Sequence, residues 1–235
     1  MIDLHSHILP GIDDGSPDFE TSVELVSELM RAGVTDVVAT PHYIEETIYT
    51  SPKLANVKLL KELQRRLDAE GVKVKLHLGN EIYITKEIKR LLEAGVISGL
   101  FDSSYLLVEL PMSGDFPGYR DIFLELIRAS YKVVLAHPER YTAFSTNFDL
   151  IQDLHEMGVL FQCNIGSFAG QYGKTVLKLV RRLAKEKMIF AFGSDIHHLH
   201  GDEWMNKALK KMKKFYNDTE LKMLLVENPK QIMLQ

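Results

Sequence analysis

Residues 1–15, Met1-Ile2-Asp3-Leu4-His5-Ser6-His7-Ile8-Leu9-Pro10-Gly11-Ile12-Asp13-Asp14-Gly15, open the chain with a short apolar run that closes in His-x-His. The same arrangement recurs three times. Val37-Val38-Ala39-Thr40 leads into Pro41-His42, Val133-Val134-Leu135-Ala136 leads into His137-Pro138, and Met188 to Gly193 leads into Ser194-Asp195-Ile196-His197-His198. Continuous apolar runs of this kind are those of parallel strands covered on both faces. Surface histidines do not collect at the ends of such strands. A site that needs several neutral imidazoles at one mouth of a parallel barrel places them there.

The rest of the chain supports that frame. Strands are expected near 2–7, 35–41, 73–80, 105–110, 132–137, 159–165 and 189–194. Between them run helical stripes: Val23, Val26, Leu29 and Met30; Leu60, Leu63 and Leu67; Val176, Val180, Leu183 and Ala184. Ser16-Pro17-Asp18 and Ser51-Pro52 each read as a cap residue before a proline at the first helical position. Gly33, Gly71 and Gly95 follow helical stretches as stop signals. Strands alternating with helices imply βα units, a parallel sheet and, with seven such units, a closed or nearly closed barrel formed by one domain over 1–235.

Composition bounds the class. The 235 residues are 46% hydrophobic and 26% charged, ordinary for a globular chain. A net charge of −4 gives no footprint for nucleic acid. No apolar stretch approaches the roughly 20 residues of a membrane helix, and no basic segment precedes the first strand as a signal peptide would require. The single cysteine, Cys163, fits a reducing compartment, so a cytoplasmic location is expected. The one charge run (Lys207, Lys210, Lys211, Lys213, Lys214) interleaves with Ala208, Leu209, Met212 and Phe215 and reads as a solvated helix face.

Functional residues of such barrels sit at the C-terminal ends of the strands. That rule gathers His5 and His7, two apart and on one face, with His42, Glu81, His137, Asp195 and His197; Asp13-Asp14-Gly15 lies in the first βα loop above the same mouth. Singly, His42 or His137 beside proline reads as a loop histidine, and Glu81 or Asp195 as a helix cap. Together they imply divalent cations, because several acids and desolvated imidazoles in one empty site repel and are costly. Nitrogen and oxygen donors without thiolates suit Mn, Fe, Co or Zn, and the number of donors exceeds what one ion takes. Two or three ions are implied. His77, mid-strand, and His155, on a helical pattern, fall outside the set; His198 and His200 stay open as loop neighbours.

These motifs resemble the PHP (polymerase and histidinol phosphatase) superfamily, whose hallmarks are an N-terminal His-x-His, an Asp-Gly, a His after the second strand, a Glu after the third, a later His and a final Asp-x-His. The opening fifteen residues, Ala39-Thr40-Pro41-His42, Gly79-Asn80-Glu81-Ile82-Tyr83, Ala136-His137-Pro138-Glu139-Arg140-Tyr141 and Ser194-Asp195-Ile196-His197 are similar to one subgroup, the CpsB/CapC-type protein-tyrosine phosphatases of bacterial capsule and exopolysaccharide clusters. The resemblance spans the chain in order. It implies a distorted seven-stranded (β/α)7 TIM-like barrel and a Mn²⁺-activated phosphatase acting on a tyrosine-phosphorylated bacterial tyrosine kinase. It further implies three clustered ions, one on His5, His7, Glu81 and Asp195, a second bridged by Glu81 and bound by His137, and a third on Asp14, His42 and His197. Asp14 is preferred over Asp13 because the family's aspartate precedes the glycine. Arg140, three past His137, is the expected phosphate-binding residue, and His42 and Asp195 join it as catalytic residues; the duller reading of Arg140 is a salt bridge with a neighbouring acid.

The implied reaction is direct in-line hydrolysis by a metal-activated hydroxide. Tyrosine leaves as a phenolate whose conjugate acid has a pKa of about 10, so a dedicated general acid is less needed, though His200 is available. Cysteine-based chemistry fails, since Cys163 has Ala169 rather than arginine six residues on. A P-loop fails too: Gly173-Lys174-Thr175 lacks its first glycine, with Phe168 in that place. The competing functions are a small-molecule phosphatase of the same superfamily, such as histidinol phosphatase, and a non-catalytic metal-binding scaffold. Loops bearing Tyr43, Tyr49, Phe116 and Tyr119, as candidates to stack on a phenyl ring, would decide between the first two substrates.

Overall fold

The computed structural model describes residues 1–113, 117–201 and 203–235. Its strands, all parallel, are β1 (Ile2–Ser6), β2 (Asp36–Ala39), β3 (His42–Tyr43), β4 (Lys75–Leu78), β5 (Glu81–Tyr83), β6 (Tyr105–Glu109), β7 (Lys132–Ala136), β8 (Leu160–Asn164) and β9 (Ile189–Gly193). They form two sheets, of order β1-β2-β4 and β3-β5-β6-β7-β8-β9. Among the described residues the strands do not pair into one closed ring: the fold is α/β with two parallel sheets, and the second and third expected strands, 35–41 and 73–80, are each followed by a short further strand, β3 and β5.

The split has a local cause. Pro41 has no N–H to donate, so the ladder breaks between β2 and β3. Between β4 and β5, Gly79 passes so close to Leu100 that an added Cβ would lie 3.1 Å from its Cα. Asn80 then replaces the missing ladder bonds with its side chain, donating to Pro41 O at 3.2 Å and accepting from Ser98 N at 3.0 Å. When pairing resumes, His42 is in register with Glu81, which sets those two side chains next to each other.

The first and last strands also meet at their ends. Asp195 N donates to His5 O at 2.8 Å, and His7 N donates to Ile196 O at 3.0 Å. Asp3, buried on β1, accepts from Ser194 N at 2.7 Å. The two histidines of β1 and the Asp195/His197 pair after β9 are thereby drawn to one place.

Helices cover the sheets with the expected stripes: Val23, Val26 and Leu29 of Phe19–Arg31, Leu63 and Leu67 of Lys53–Ala69, and Val180, Leu183 and Ala184 of Gly173–Lys185 are buried. Their starts differ from expectation. Asp18, not Ser16, caps the first helix, accepting from Thr21 N at 2.8 Å, and Pro52 itself occupies the cap position of the second. A carboxylate placed there also meets the positive end of the helix dipole, which the Ser16 hydroxyl does not offer. Gly33, Gly71 and Gly95 end their helices with positive φ, as expected. The lysine-rich segment is the helix Trp204–Met212, with Ala208 and Met212 buried and the lysines outward. Among the described residues no helix is long and apolar enough to cross a membrane.

Candidate metal centre

Every predicted ligand arrives at the same mouth. His5 and His7 come from the end of β1, His42 and Glu81 from the starts of β3 and β5, His137 from the residue after β7, and Asp195 and His197 from the turn after β9. His137 and Asp195 reach it with left-handed backbone, φ 30° and 54°, a conformation uncommon outside glycine and found where a side chain must be aimed.

Glu81 sits at the centre, fully buried. Its Oε2 lies 3.2 Å from His5 Nε2, 3.2 Å from His7 Nε2 and 3.0 Å from His42 Nδ1. Despite these distances Oε2 accepts no hydrogen bond, and His42 Nδ1 makes none. His5 Nε2 and His7 Nε2 also lie 3.1 Å from each other, so three imidazole nitrogens and a carboxylate oxygen crowd one small space, an arrangement a cation satisfies. Its other oxygen, Oε1, lies 2.9 Å from His137 Nε2. Asp195 Oδ1 is 3.4 Å from His5 Nε2 and 3.6 Å from His7 Nε2. Asp14 Oδ1 is 3.4 Å from His42 Nε2 and 3.3 Å from His197 Nε2. Among the described residues, three overlapping groups have ligand atoms close enough to share an ion: His7, Asp14, His42 and His197; His5, His7 and Glu81; and His42, Glu81 and Glu109.

The two aspartates of the first loop take different places. Asp14 faces His42 and His197. Asp13 turns behind them: its Oδ2 accepts from His7 Nδ1 at 2.9 Å and from His42 N at 3.1 Å, and its Oδ1 accepts from Gly15 N at 3.0 Å. Asp13 thus fixes which ring nitrogen of His7 carries the proton and leaves Nε2 facing the centre. Gly15 has no room for a side chain, since a Cβ would lie 2.2 Å from His7 O.

Glu109, at the end of β6, escaped the sequence reading. Its Oε1 lies 3.7 Å from His137 Nε2 and its Oε2 3.8 Å from His42 Nδ1. The signal was available, because Tyr105–Glu109 is another apolar strand ending in a ligand-type residue.

Electrostatics of the metal-free cluster show what the ions would relieve. Burial, and then the Glu81 charge beside it, push the Glu109 carboxyl up to about 9, so it keeps its proton at neutral pH. Burial alone would depress His5, but Glu81 and Asp195 outweigh it and raise the imidazole to about 9. Asp14 is held down to about 2 by its bond from His197, against the effect of its partial burial. The donor set fits divalent ions: neutral imidazoles and carboxylates, no thiolate, and charges that are costly unless compensated.

Arg140 lies beside the cluster, on the Asp195 side. Its Nη1 donates to Asp195 Oδ2 at 2.7 Å, and its guanidinium packs over the Tyr172 ring at 4.7 Å. It lines a cavity of about 430 Å³ together with Asp14, Gln171, Tyr172, His197, His198 and His200. The expected alternative for Arg140, a salt bridge with an acid, is thus present, and the acid is itself one of the predicted ligands. His198 and His200 stand exposed on the rim. The His200 loop is anchored from behind by Glu28, buried on Phe19–Arg31, which accepts from His200 N at 3.2 Å and from Trp204 Nε1 at 2.5 Å.

The remaining candidates fall outside this group. His77 pairs with Asp36 at 3.0 Å, and His155 lies against Phe161. Tyr43 is buried and Tyr119 packs on Phe123, while the Tyr49 ring lies 6.1 Å from that of His42. Phe116 lies outside the described residues. Cys163 is a free thiol, buried in β8, and Phe168 is buried inside the short helix Ile165–Ala169.

The sequence profile of a family described as "Capsular polysaccharide synthesis, CpsB/CapC" matches residues 1–234. The tyrosine-protein phosphatase YwqE of Bacillus subtilis is 33% identical over 230 residues, covering 97% of this chain and 89% of YwqE. The tyrosine-protein phosphatase CpsB of Streptococcus pneumoniae is 30% identical over 243 residues, covering 100% of this chain and 98% of CpsB. A solved structure from work on YwqE of B. subtilis and CpsB of S. pneumoniae, described as metal-dependent tyrosine phosphatases, superposes with a TM-score of 0.92 at 30% identity, covering 100% of this chain and 94% of that one.

Proposed function

The chain belongs to the CpsB/CapC family, and from that membership we propose that it is a metal-dependent protein-tyrosine phosphatase, hydrolysing phosphotyrosine on a bacterial tyrosine kinase that controls capsule or exopolysaccharide synthesis. The observation that carries the metal dependence is Glu81 Oε2, buried among three imidazole nitrogens at 3.0–3.2 Å and accepting a hydrogen bond from none. We read the two sheets, joined at β1 and β9, as a distorted barrel of the PHP type.

We assign His5, His7, Glu81 and Asp195 to one ion, Glu81, Glu109 and His137 to a second, and Asp14, His42 and His197 to a third, with Mn²⁺ as the ion. When bound, the ions supply a water of lowered pKa and neutralise charge on the phosphoryl oxygens. The protein's own part is orientation and charge. Asp13 holds the His7 ring from behind, and Asp195 O accepts from His197 Nδ1 at 3.0 Å, which turns His197 Nε2 toward Asp14. Asp195 and Tyr172 hold the Arg140 guanidinium by one nitrogen and one face, leaving other N–H groups for two phosphoryl oxygens at once. Such a donor stabilises negative charge that grows on those oxygens in the transition state. A tyrosine phenolate, with a conjugate-acid pKa of about 10, departs without full protonation, so the site works without a buried general acid. The exposed rim of His198 and His200 suits a side chain presented on another protein. The lone free cysteine accords with work in the cytoplasm.

The test of substrate is direct. Metal-loaded protein is given a phosphotyrosyl peptide and, separately, histidinol phosphate. Faster turnover of the peptide is expected; preference for histidinol phosphate would move the assignment to small-molecule phosphomonoesters.

A further inference from the structure

Strand β8 carries two polar side chains where its neighbours are apolar. In Leu160-Phe161-Gln162-Cys163-Asn164, Phe161 and Cys163 face the helix-covered core, while Gln162 and Asn164 face the interior toward β1 and β9, all four fully buried. The two amides form a chain between two of the assigned ligands. His5 Nδ1 donates to Gln162 Oε1 at 2.8 Å, Gln162 Nε2 donates to Asn164 Oδ1 at 3.0 Å, and Asn164 Nδ2 donates to Asp195 Oδ2 at 2.6 Å.

The direction of this chain is fixed at one end. An ionised carboxylate only accepts, so Asn164 must present its NH₂ to Asp195 and its oxygen to Gln162. Gln162 must then present its NH₂ to Asn164 and its oxygen to His5. His5 in turn must carry a proton on Nδ1, so Nε2 is the nitrogen turned toward Glu81 and the one that would bind an ion. The path is also built sterically. Gly193 on β9 leaves the space that the contact occupies: a Cβ there would lie 2.6 Å from His5 Cβ and 3.0 Å from Gln162 Nε2. Glu139, in the turn between His137 and Arg140, holds the other side by accepting from Asn164 N at 2.8 Å.

We propose that Gln162 and Asn164 are positioning residues that transmit the polarity of Asp195 to His5 and so set the ring nitrogen that His5 offers to the metal centre. The inference rests on His5 and Asp195 being ligands. The amides play the part that a carboxylate or backbone carbonyl plays behind most metal-bound histidines, with the difference that their own orientation is dictated by a second ligand. Loss of the relay lets the His5 ring flip or take the other tautomer, which weakens ion binding without removing any ligand.

The experiment is a Mn²⁺ titration of metal-stripped full-length protein, wild type beside Gln162→Met, Gln162→Glu and Asn164→Ala, with thermal melts of the stripped proteins. Zn²⁺-loaded samples give the His5 tautomer from ¹H–¹⁵N spectra of the ring. Gln162→Met, similar in volume but without an acceptor, should weaken the tightest Mn²⁺ by about 10–100-fold. Gln162→Glu, which still accepts from Nδ1, should recover most of that loss, and Asn164→Ala, which frees the Gln162 amide to flip, should fall between. In wild type, His5 should carry its proton on Nδ1; in Gln162→Met that signal should be lost or shared. Unchanged Mn²⁺ affinity and tautomer in Gln162→Met, or in Asn164→Ala should the former not fold, would overturn the proposal, as would a drop in stripped-protein melting with no change in affinity. Failure of wild type itself to bind Mn²⁺ would instead remove the metal reading beneath it.

Discussion

Arg140 Nη1 donates to Asp195 Oδ2 at 2.7 Å, so the cation that would meet the phosphate is held by a carboxylate whose other oxygen points into the histidine cluster. On the proposed assignment the pair would tie substrate binding to the metal centre, and a mutant would separate the two. Arg140→Ala should lower kcat/KM on a phosphotyrosyl peptide by about 10²–10³-fold, the cost of losing one donor to developing oxyanion charge. Bound metal should not fall, because Asp195 is then free of its competing cation. Arg140→Lys should recover little, since a lysine has neither the fork nor the flat face that packs on Tyr172. Loss of metal in Arg140→Ala, measured by elemental analysis, would contradict this division of roles.

The metal-free protein should lose stability as pH rises, and the sign follows from two groups. His5 is raised from its ordinary 6.5 to about 9, so its stabilising contribution is complete below 6.5 and lost as pH rises through 9. Glu109, raised from 4.5 to about 9, acts in the same sense, with its contribution complete below 4.5. Asp14, lowered to about 2, loses its contribution only as pH falls through that value, far outside this window. The melting temperature of stripped protein should therefore fall from about pH 4.5, where Glu109 begins to act, to about pH 9, and most steeply above 6.5, where His5 joins it. Metal affinity should rise over the same window, because ions displace protons from His5 and Glu109. Calorimetry in two buffers of different ionisation heat should detect the released protons; a stripped protein that grows more stable toward pH 9 would refute the assignment.

Glu109→Gln separates stability from metal binding. The amide keeps the volume but cannot become a charge, so the stripped variant should melt at or above wild type at pH 9. It should also bind one ion more weakly, because an anionic donor near His137 and His42 is gone. Equal metal content and affinity in the two proteins would show that Glu109 takes no part in the centre.

Glu28 offers a test away from the ions. Its buried carboxylate anchors His200 N and Trp204 Nε1, behind the rim of the cavity. Glu28→Ala should raise KM for a peptide more than it lowers kcat, and should cost about 1–3 kcal/mol of stability from the buried donors it leaves unpaired. A fall confined to kcat, with KM unmoved, would place the effect in the metal centre instead.

The parts of this site that were legible in the sequence are those fixed by strand ends. Period-two spacing put His5 with His7 and Asp195 with His197, and the strand-end rule gathered His42, Glu81 and His137. The same rule applied to Glu109, which went unread because no histidine flagged that strand. Asp13 and Asp14, adjacent in one loop, cannot be told apart by periodicity; only the loop's path, closed by Gly15 against His7, sends one behind the ring and the other into the mouth. Gln162 and Asn164 look like a polar interruption of a core strand until β1 and β9 are placed beside them. Nine strand segments stand where seven strands were expected because Pro41 and Gly79-Asn80 break ladders that the hydrophobic pattern alone runs straight through.

Chelation should lower the melting temperature, since ions that bind only the folded state stabilise it by mass action, by about 2.7 kcal/mol for a ligand at a hundred times its dissociation constant. An unchanged melt, with metal loss confirmed by elemental analysis, would exclude the cluster as a metal centre.

Metal dependence of the reaction is read by titrating Mn²⁺ into stripped protein while following phosphotyrosyl-peptide hydrolysis, with metal content measured on the same samples. Activity should be absent without metal, rise with bound ions to a plateau at two or three per chain, and be abolished in His42→Ala. Turnover that persists in fully stripped protein, or that survives His42→Ala at wild-type metal content, would contradict it.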